Sequence, residues 1–362
     1  MTQYEIAVIP GDGIGPEVIE SALAVLRSSQ RHFEFDLKFT SYDFSAELYR
    51  RTGRKITAAD MDEIGTRDAV LFGAMGLPDV RDEEGLELGA QVEMRAHYKL
   101  FASLRPVRLF AGVPNAVRAE QIDMLVIRET SEGMFAGLHD HHEPSDDQAT
   151  DRMTITRATC QTLFREAFAQ ARARRQRGTV GRVTLLHKSN ALRSNVLMEK
   201  VFDEIAAENL DIESSKYYID AGSMYMITDP GRFDVIVSEN IFGDITSEIA
   251  AGLVGGLGVA PSADVSSTHG VFQPSHGSAP DIAGTGTANP VAMILSASMM
   301  LAWLGDKRGD QTLNDAAQSI NDAVQQVLAT GPRPKDLGGE ATTAEMTNAV
   351  LEALQANLAS HV

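Results

Sequence analysis

Apolar positions along the chain follow two rhythms that alternate. Short unbroken runs rich in β-branched residues predict buried strands: "YEIAVIP" (4–10), "DAVLFGAMG" (68–76), "DMLVIRET" (123–130), "RVTLLHKS" (182–189) and "FDVIVSENIFGD" (233–244). "FEFDLKFTSYD" (33–43) predicts another strand. Between them, "GPEVIESALAVLRSS" (15–29), "CQTLFREAFAQARARRQ" (160–176), "SNVLMEKVFDEIAAEN" (194–209) and "DAAQSINDAVQQVLAT" (315–330) repeat apolar residues at helical spacing. The longest apolar run, "VAMILSASMMLAWLG" (291–305), is short for a membrane span. It predicts a buried helix with Asn289 as N-cap and Pro290 in the first turn. Strand and helix in alternation predict an α/β fold with sites at the carboxyl ends of strands, where several of these strands carry polar, reactive residues. "HDHHEPSDDQATDR" (139–152) lacks a core pattern and reads as a loop or a projecting arm.

Length and charge narrow the picture. The 362 residues exceed one ordinary core and predict two domains. The formal net charge of −18 repels nucleic-acid backbones and anionic membrane surfaces, so neither is expected as a partner. An anionic small molecule would need a local group of Arg or Lys. The single cysteine, Cys160, excludes an intrachain disulfide and sits in a helical run, which predicts a buried, inert thiol. The first residues show no basic stretch followed by an apolar segment and a small-residue cleavage site, so a reducing, cytoplasmic setting is expected.

The turn "GDGIGPE" (11–17) follows the first strand. A dinucleotide fingerprint is G-x-G-x-x-G with an acidic residue after the second strand. Here the third glycine comes one residue early, and Asp43 lies too far along. The alternative is a strand-to-helix turn that needs positive φ or close backbone approach. The glycines leave both readings open.

Four further groups carry chemistry. Arg95, Arg105 and Arg128 are residues of the type that grips carboxylates through two parallel hydrogen bonds, though singly each is more ordinarily a surface ion-pair residue. Lys188 stands just past a strand with Asn190 nearby, and a lysine at a buried strand end can serve as a general base. Asp244 and Glu248 lie four apart at the start of a helix, and with Asp220 they are hard oxygen ligands for Mg²⁺ or Mn²⁺. Acidic residues at a helix start also simply suit its dipole. Lastly, "PSHGSAPDIAGTGTANP" (274–290) is a loop of small residues that lets a phosphate-bearing ligand approach the backbone.

In order, "IPGDGIGPEV", "LRP", "IRE" and "SEG", "HKSN", "NIFGD", "HGSAPDIAG" and "DLGGEATTAEM" span nearly the whole chain. The set resembles the isocitrate/isopropylmalate dehydrogenase family of metal-dependent β-decarboxylating dehydrogenases, which also includes homoisocitrate and tartrate/D-malate dehydrogenases. The resemblance implies a two-domain α/β fold that is not Rossmann. A large domain of 1–100 plus 255–362 carries the NAD-binding loops, and a small domain of 101–254 carries the dimer interface, the arm and the catalytic groups. It implies that Arg95, Arg105 and Arg128 bind the malate carboxylates of a small dicarboxylate. Asp244 and Glu248 match metal ligands, with Asp220 contributed across a homodimer. Lys188 also crosses that interface, and the segment around 135–155 clasps the partner. Ile14, His276, Gly277, Ser278, Ala279, Pro280, Asp281, Ile282 and Asn289 match the positions that hold NAD. Asp281 and Ile282, where NADP-specific relatives have Lys and Tyr, favour NAD.

Three places depart from the family pattern. Phe135 stands where the family has its Tyr general acid, and Phe has no proton to give. Glu248 stands where the family usually has Asp. Leu88, Gly89, Gln91 and Val92, ahead of the first arginine, match neither the isopropylmalate nor the isocitrate pocket. The expectation is NAD-dependent oxidative decarboxylation of an (R)-malate-type acid, isopropylmalate dehydrogenase-like, with tartrate/D-malate dehydrogenase as the alternative. A reading from another class is a catalytically weak regulatory or binding homologue, which Phe135 favours.

Overall fold

The computed structural model describes residues 2–83, 85–117, 119–135 and 147–359. The chain divides into two compact units: Met1–Tyr98 with Phe110–Asn115 and Val254–Val362, and Lys99–Leu109 with Ala116–Leu253. The short return at 110–115 belongs with the first unit because Val113 packs where a side chain on Gly255 would stand, 2.4 Å from a Cβ built there.

The first unit opens with β1 (Gln3–Gly11), α1 (Gly15–Phe33), β2 (Asp36–Ser41), α2 (Ala46–Thr52), α3 (Ala58–Ile64), β3 (Ala69–Ala74) and α4 (Ala90–His97). Helix α1 runs past the expected end at Ser29 to Phe33, where Glu34 adopts a left-handed conformation (φ 59°) and stops it. The second strand is therefore shorter than "FEFDLKFTSYD" suggests.

The second unit contains β4 (Ala102–Arg108), β5 (Asp123–Glu129), α5 (Arg157–Gln176), β6 (Arg182–His187), α6 (Arg193–Ala207), β7 (Glu213–Tyr218), α7 (Ile219–Thr228), β8 (Val235–Ser238) and α8 (Asn240–Leu253). Its strands run in the order β4-β5-β8-β6-β7; β4 and β5 are antiparallel and the remaining pairs are parallel. Phe164, Phe168 and Phe202 fill the space between α5 and α6. Cys160 is buried there, and burial pushes its thiol up to about 12, so it is unreactive. Of the expected arm over 135–155, residues 136–146 lie outside the described residues. Gly133 and Thr154 are bridged, Gly133 N–H donating to the Thr154 carbonyl at 2.9 Å.

The chain then completes the first unit with β9 (Pro261–Val265), β10 (Gly270–Pro274), α9 (Val291–Arg308), α10 (Gln311–Thr330) and α11 (Thr343–Ala359). The strands of this unit run β2-β1-β3-β10-β9, parallel except for the β10–β9 pair. That order and the antiparallel pair differ from the Rossmann arrangement. Helix α9 is buried on nearly every side, which explains its unbroken apolar run. It starts at Val291, one residue later than expected; Pro290 takes the cap position, and Asn289 still accepts the Val291 N–H through Oδ1 at 3.1 Å. Among the described residues no helix is long and apolar enough to cross a membrane.

Candidate active site

In the second unit, the antiparallel register sets Ser103 opposite Arg128 and Val126 opposite Arg105. Residues two apart on a strand share a face, so both arginines emerge on one side. Helix α8 packs there, and Gly243 allows it: a Cβ at 243 would stand 2.8 Å from the Arg128 Cβ. The helix then presents Asn240, Asp244, Ser247 and Glu248, at i, i+4, i+7 and i+8, to the guanidinium groups. Arg128 donates through Nε and Nη2 to Asn240 Oδ1 at 3.0 and 2.9 Å, and through Nη1 to Asp244. Arg105 donates through Nη1 to Ser247 Oγ at 2.8 Å and to Glu248 Oε1 at 3.1 Å, while its Nη2 lies 3.5 Å from Asp244 Oδ1. Both arginines are buried, and Arg105 Nε has no partner. Burial pushes the Glu248 carboxyl above its ordinary value despite Arg105. The Phe135 ring centre lies 5.3 Å from the Arg128 guanidinium carbon, a cation–π contact.

The parallel pairing of β6 with β7 matches His187 to Tyr218, so both strands end at the same edge. Lys188 and Asp220 follow directly, and Lys188 Nζ meets Asp220 Oδ1 at 2.9 Å. That hydrogen bond is the main reason the exposed Asp220 carboxyl is held below its ordinary value. Asn195, fully buried on α6, fixes the base of this pair by accepting the Lys188 N–H at 2.9 Å. Asn190 is exposed in the turn between. Among the described residues no three His, Cys, Asp or Glu side chains converge as a metal site.

In the first unit, the glycine turn answers to close packing. A Cβ on Gly11 (φ 75°) would stand 2.1 Å from the Ala74 carbonyl oxygen, and one on Gly13 (φ 58°) 1.9 Å from that of Ser278. Ile14 N–H donates to the same Ser278 oxygen at 2.8 Å, and Ser278 Oγ donates to the Gly76 carbonyl. Asp12 is not spare chemistry: its buried carboxylate accepts the N–H groups of Ala46, Glu47 and Gly76 at 2.8, 3.0 and 3.1 Å. The turn thus clamps the loop that begins at His276. Beyond Ser278, Ala279 is left-handed (φ 38°) and Pro280–Ile282 forms one tight helical turn, with Gly277 and Asp281 exposed.

Ile14, His276, Ile282, Asn289, Lys335 and Asp336 line a cavity of about 360 Å³. Asn289 is anchored there by donating to Asp336 Oδ2 at 3.0 Å. His276 Nδ1 contacts the Gly277 carbonyl oxygen at 2.9 Å, so Nδ1 is the donor. Its Nε2 is buried without a partner, and burial holds the ring below its ordinary value. A neutral ring in this tautomer leaves Nε2 as an acceptor without a partner.

Arg95, on α4, also belongs to the first unit. Its Nε donates to Asp264 Oδ2 at 2.9 Å, and Gln273 Nε2 donates to the same oxygen at 3.2 Å. Leu88 is turned inward, packed with Ala46, Val80, Tyr49 and Leu77, so it is not presented to a ligand. Val92 is 42% exposed, and Gln91 Oε1 is buried with no partner. Sequence reasoning missed Asn240, Ser247, Asn195, Asp264 and Asp12. Asn240 and Asp12 lie inside quoted motifs; Asn195 and Asp264 carried no local signal.

A profile of the isocitrate/isopropylmalate dehydrogenase family matches residues 5–350. The 3-isopropylmalate/3-methylmalate dehydrogenase of Methanocaldococcus jannaschii is 41% identical over 350 residues, 96% of this chain and 98% of that protein. The 3-isopropylmalate dehydrogenase of Mannheimia succiniciproducens is 38% identical over 369 residues, 98% of this chain and 100% of that protein. The crystal structure of isocitrate dehydrogenase from Methylococcus capsulatus matches with a TM-score of 0.85 at 33% identity, over 97% of this chain and 99% of its own. Matched along nearly its full length in sequence and in fold, the chain belongs to the isocitrate/isopropylmalate dehydrogenase family of enzymes.

Proposed function

We propose that the chain is an NAD- and divalent-metal-dependent enzyme that oxidises and decarboxylates an (R)-malate-type 2-hydroxydicarboxylate, as a 3-isopropylmalate dehydrogenase does. The observation that carries this is the pair of buried guanidinium groups, Arg105 on β4 and Arg128 on β5, on one face of the sheet against the carboxylates of α8. Buried arginine forks are suited to planar carboxylates. With Asp244 and Glu248 engaged elsewhere, the same nitrogens face a substrate carboxylate.

Asp244 and Glu248 offer hard oxygen donors from one helix face, which fits Mg²⁺ or Mn²⁺. The loop of Ile14, His276–Ile282 and Asn289 fits NAD, on the strength of the cavity and its unpaired acceptor. When bound, the ion supplies Lewis-acid polarisation at the C2 oxygen, and NAD accepts the hydride. Lys188 takes the C2 hydroxyl proton, directly or through a relay, as the C2 hydrogen leaves with its electron pair. Asp220, 2.9 Å from Nζ, favours the ammonium that results. Loss of carbon dioxide then leaves an electron pair on carbon that a proton must quench. Phe135 has none to give, so water or another group donates.

Lys188 and Asp220 serve the neighbouring copy's site in a homodimer. Supporting this, α7 and α8 expose Met224, Ile227 and Ile245 at 51%, 53% and 53%, apolar surface that a second copy would cover. A cytoplasmic biosynthetic role follows from the same reading. The alternative of a catalytically weak regulatory or binding homologue rests on Phe135. The deciding experiment is NADH production with Mg²⁺ or Mn²⁺ from isopropylmalate, D-malate, tartrate, isocitrate and homoisocitrate. Turnover of one of them is expected; none, with intact NAD binding, would leave the non-catalytic reading.

A further inference from the structure

We infer that Glu132 is a positioning residue for substrate binding: its carboxylate pins the turn after β5 to the start of α5, and the carbonyl of that turn, through Asn240, holds the fork of Arg128. This rests on the reading of Arg128 as a carboxylate-binding residue. Asn240 Oδ1 takes two donors from one guanidinium, Nε at 3.0 Å and Nη2 at 2.9 Å. A guanidinium has donors only, so the amide oxygen must face it and the amide nitrogen must face elsewhere. That nitrogen, Nδ2, donates to the Glu132 carbonyl at 2.8 Å. A flipped amide would set its NH₂ against the guanidinium and its oxygen against the carbonyl. The Glu132 carbonyl therefore locks the amide in the orientation that grips Arg128.

Glu132 is itself held on both sides of that carbonyl. Its N–H donates to the two carboxylate oxygens of Glu129 at 3.0 and 2.9 Å. Its own carboxylate reaches 24 positions along the chain to the start of α5. There it accepts the Thr156 N–H at 2.7 Å, Thr156 Oγ1 at 2.6 Å and Thr159 Oγ1 at 2.8 Å. Thr156 is the N-cap of α5, its hydroxyl accepting the Thr159 N–H, so the carboxylate lies at the positive end of a 20-residue helix. After Glu132 comes Gly133, left-handed (φ 84°), where a Cβ would stand 2.9 Å from Asn240 Cβ; the turn is seated directly on Asn240. A carboxylate at a helix start is on its own an ordinary cap. Here the backbone of the same residue is bonded to the partner of Arg128, so hydrogen bonds run without a gap from the start of α5 to the fork.

The test uses the full-length protein with NAD and Mn²⁺ and whichever of isopropylmalate, D-malate, tartrate, isocitrate and homoisocitrate it oxidises best. Glu132→Ala should raise KM for that acid by about tenfold, the scale of one lost hydrogen bond to a charged group. KM for NAD and kcat should each change by less than about twofold, the pattern of lost uniform binding. The Kd of the acid with Mn²⁺ and no NAD, measured by calorimetry, should rise as KM does. Glu132→Gln keeps an oxygen for the Thr156 N–H and should fall between; it carries the test if thermal melting shows the alanine variant unfolded. On an Asn240→Ala background, Glu132→Ala should add less than about twofold, because the link is already cut. Equal rises in the two KM values, no rise for the acid, or full additivity with Asn240→Ala overturns the role of Glu132 and leaves the dehydrogenase reading standing. If an acid binds without turnover, the calorimetric Kd of the variants decides. No acid bound or oxidised by the unmodified protein removes the reading of Arg128, and the inference with it.

Discussion

On α8, Asp244 and Glu248 are held by Arg128 and Arg105 through side-chain charge, at hydrogen-bond distance and half-buried. Between Gly11 and Gly15, by contrast, the chain is held by backbone groups packed so closely that a single added carbon would overlap a carbonyl oxygen. The first region can let go: ion pairs exchange partners when a competing charge arrives. The second cannot, because its contacts are van der Waals limits and positive φ angles. Under the proposed function, the region that would accept metal and substrate is made of exchangeable charges, and the turn that shapes the proposed cofactor loop is made of fixed backbone. Substitutions in the first should cost rate, and in the second stability.

The largest expected effect is on the charged side. Lys188→Ala should lower kcat by ~10²–10⁴-fold, the usual worth of general-base help, with thermal melting nearly unchanged. Mixing it with an Asp244→Ala variant should restore part of the activity through hybrid dimers. Full activity of a monomer in sedimentation would contradict the shared site. On the backbone side, Gly13→Ala should destabilise by about 3 kcal/mol, as strain at a positive φ with no room for Cβ does. Chemical denaturation measures it; a change near zero would show that the Ser278 loop moves freely aside, and the contrast between the regions would fail.

Next in size is cofactor choice. The exposed Asp281 carboxylate should favour the ribose hydroxyls of NAD and repel the 2′-phosphate of NADP, giving at least roughly a hundredfold preference in kcat/KM. Asp281→Lys with Ile282→Tyr should narrow or reverse it. Equal use of both cofactors by the unmodified protein would show that Asp281 does not set the preference. Phe135→Tyr should speed release of the decarboxylated product, by at most the ~10²–10⁴-fold typical of a proton donor. Slower turnover would mean that the cation–π contact with Arg128 matters more.

The smallest effect concerns pH. Burial pushes the carboxyls of Glu239 and Glu129 above their ordinary 4.5, although each accepts backbone N–H groups; Arg128 pulls Glu239 the other way, and Glu132 adds to the rise at Glu129. A group whose folded value is raised contributes its full stability below 4.5 and loses it as pH rises through the folded value. Glu239→Gln removes that loss at the expense of one acceptor. The melting temperature of the variant relative to the unmodified protein should therefore climb with pH above 4.5, by an amount worth about 1 kcal/mol or less. A difference that stays flat would mean that Glu239 is not desolvated.

Much of the fold was legible because strands and helices are local patterns. The unbroken β-branched runs before Gly73 and Lys188 and the helical spacing after Gly15 belong to few neighbours at a time. The α1 end was misplaced by sequence because Glu34 takes a left-handed angle that glycine or asparagine would have signalled and glutamate does not. At the site, Arg105 and Arg128 were legible as residue types, and "NIFGD" as a phrase. Asn195 beneath Lys188 and Asp264 beneath Arg95 were not, since nothing in their surroundings marks a partner 7 or 169 positions away. Leu88 read as a pocket residue until its packing against Ala46 and Val80 placed it in the core.

By itself, the sequence determined that the chain alternates strand and helix, that it carries a formal net charge of −18, and that its ordered motifs belong to one enzyme family. These depend on residue order and composition alone. Only the tertiary structure decided what the motifs do to one another. It made the glycine turn a clamp on the Ser278 loop, set Lys188 against Asp220, seated two carboxylates on two arginines, and left Oε1 of Gln91 buried without a partner. The reason is physical: a hydrogen bond or a steric limit depends on separations of a few tenths of an ångström, and those are fixed by packing across the whole unit, not by neighbours along the chain.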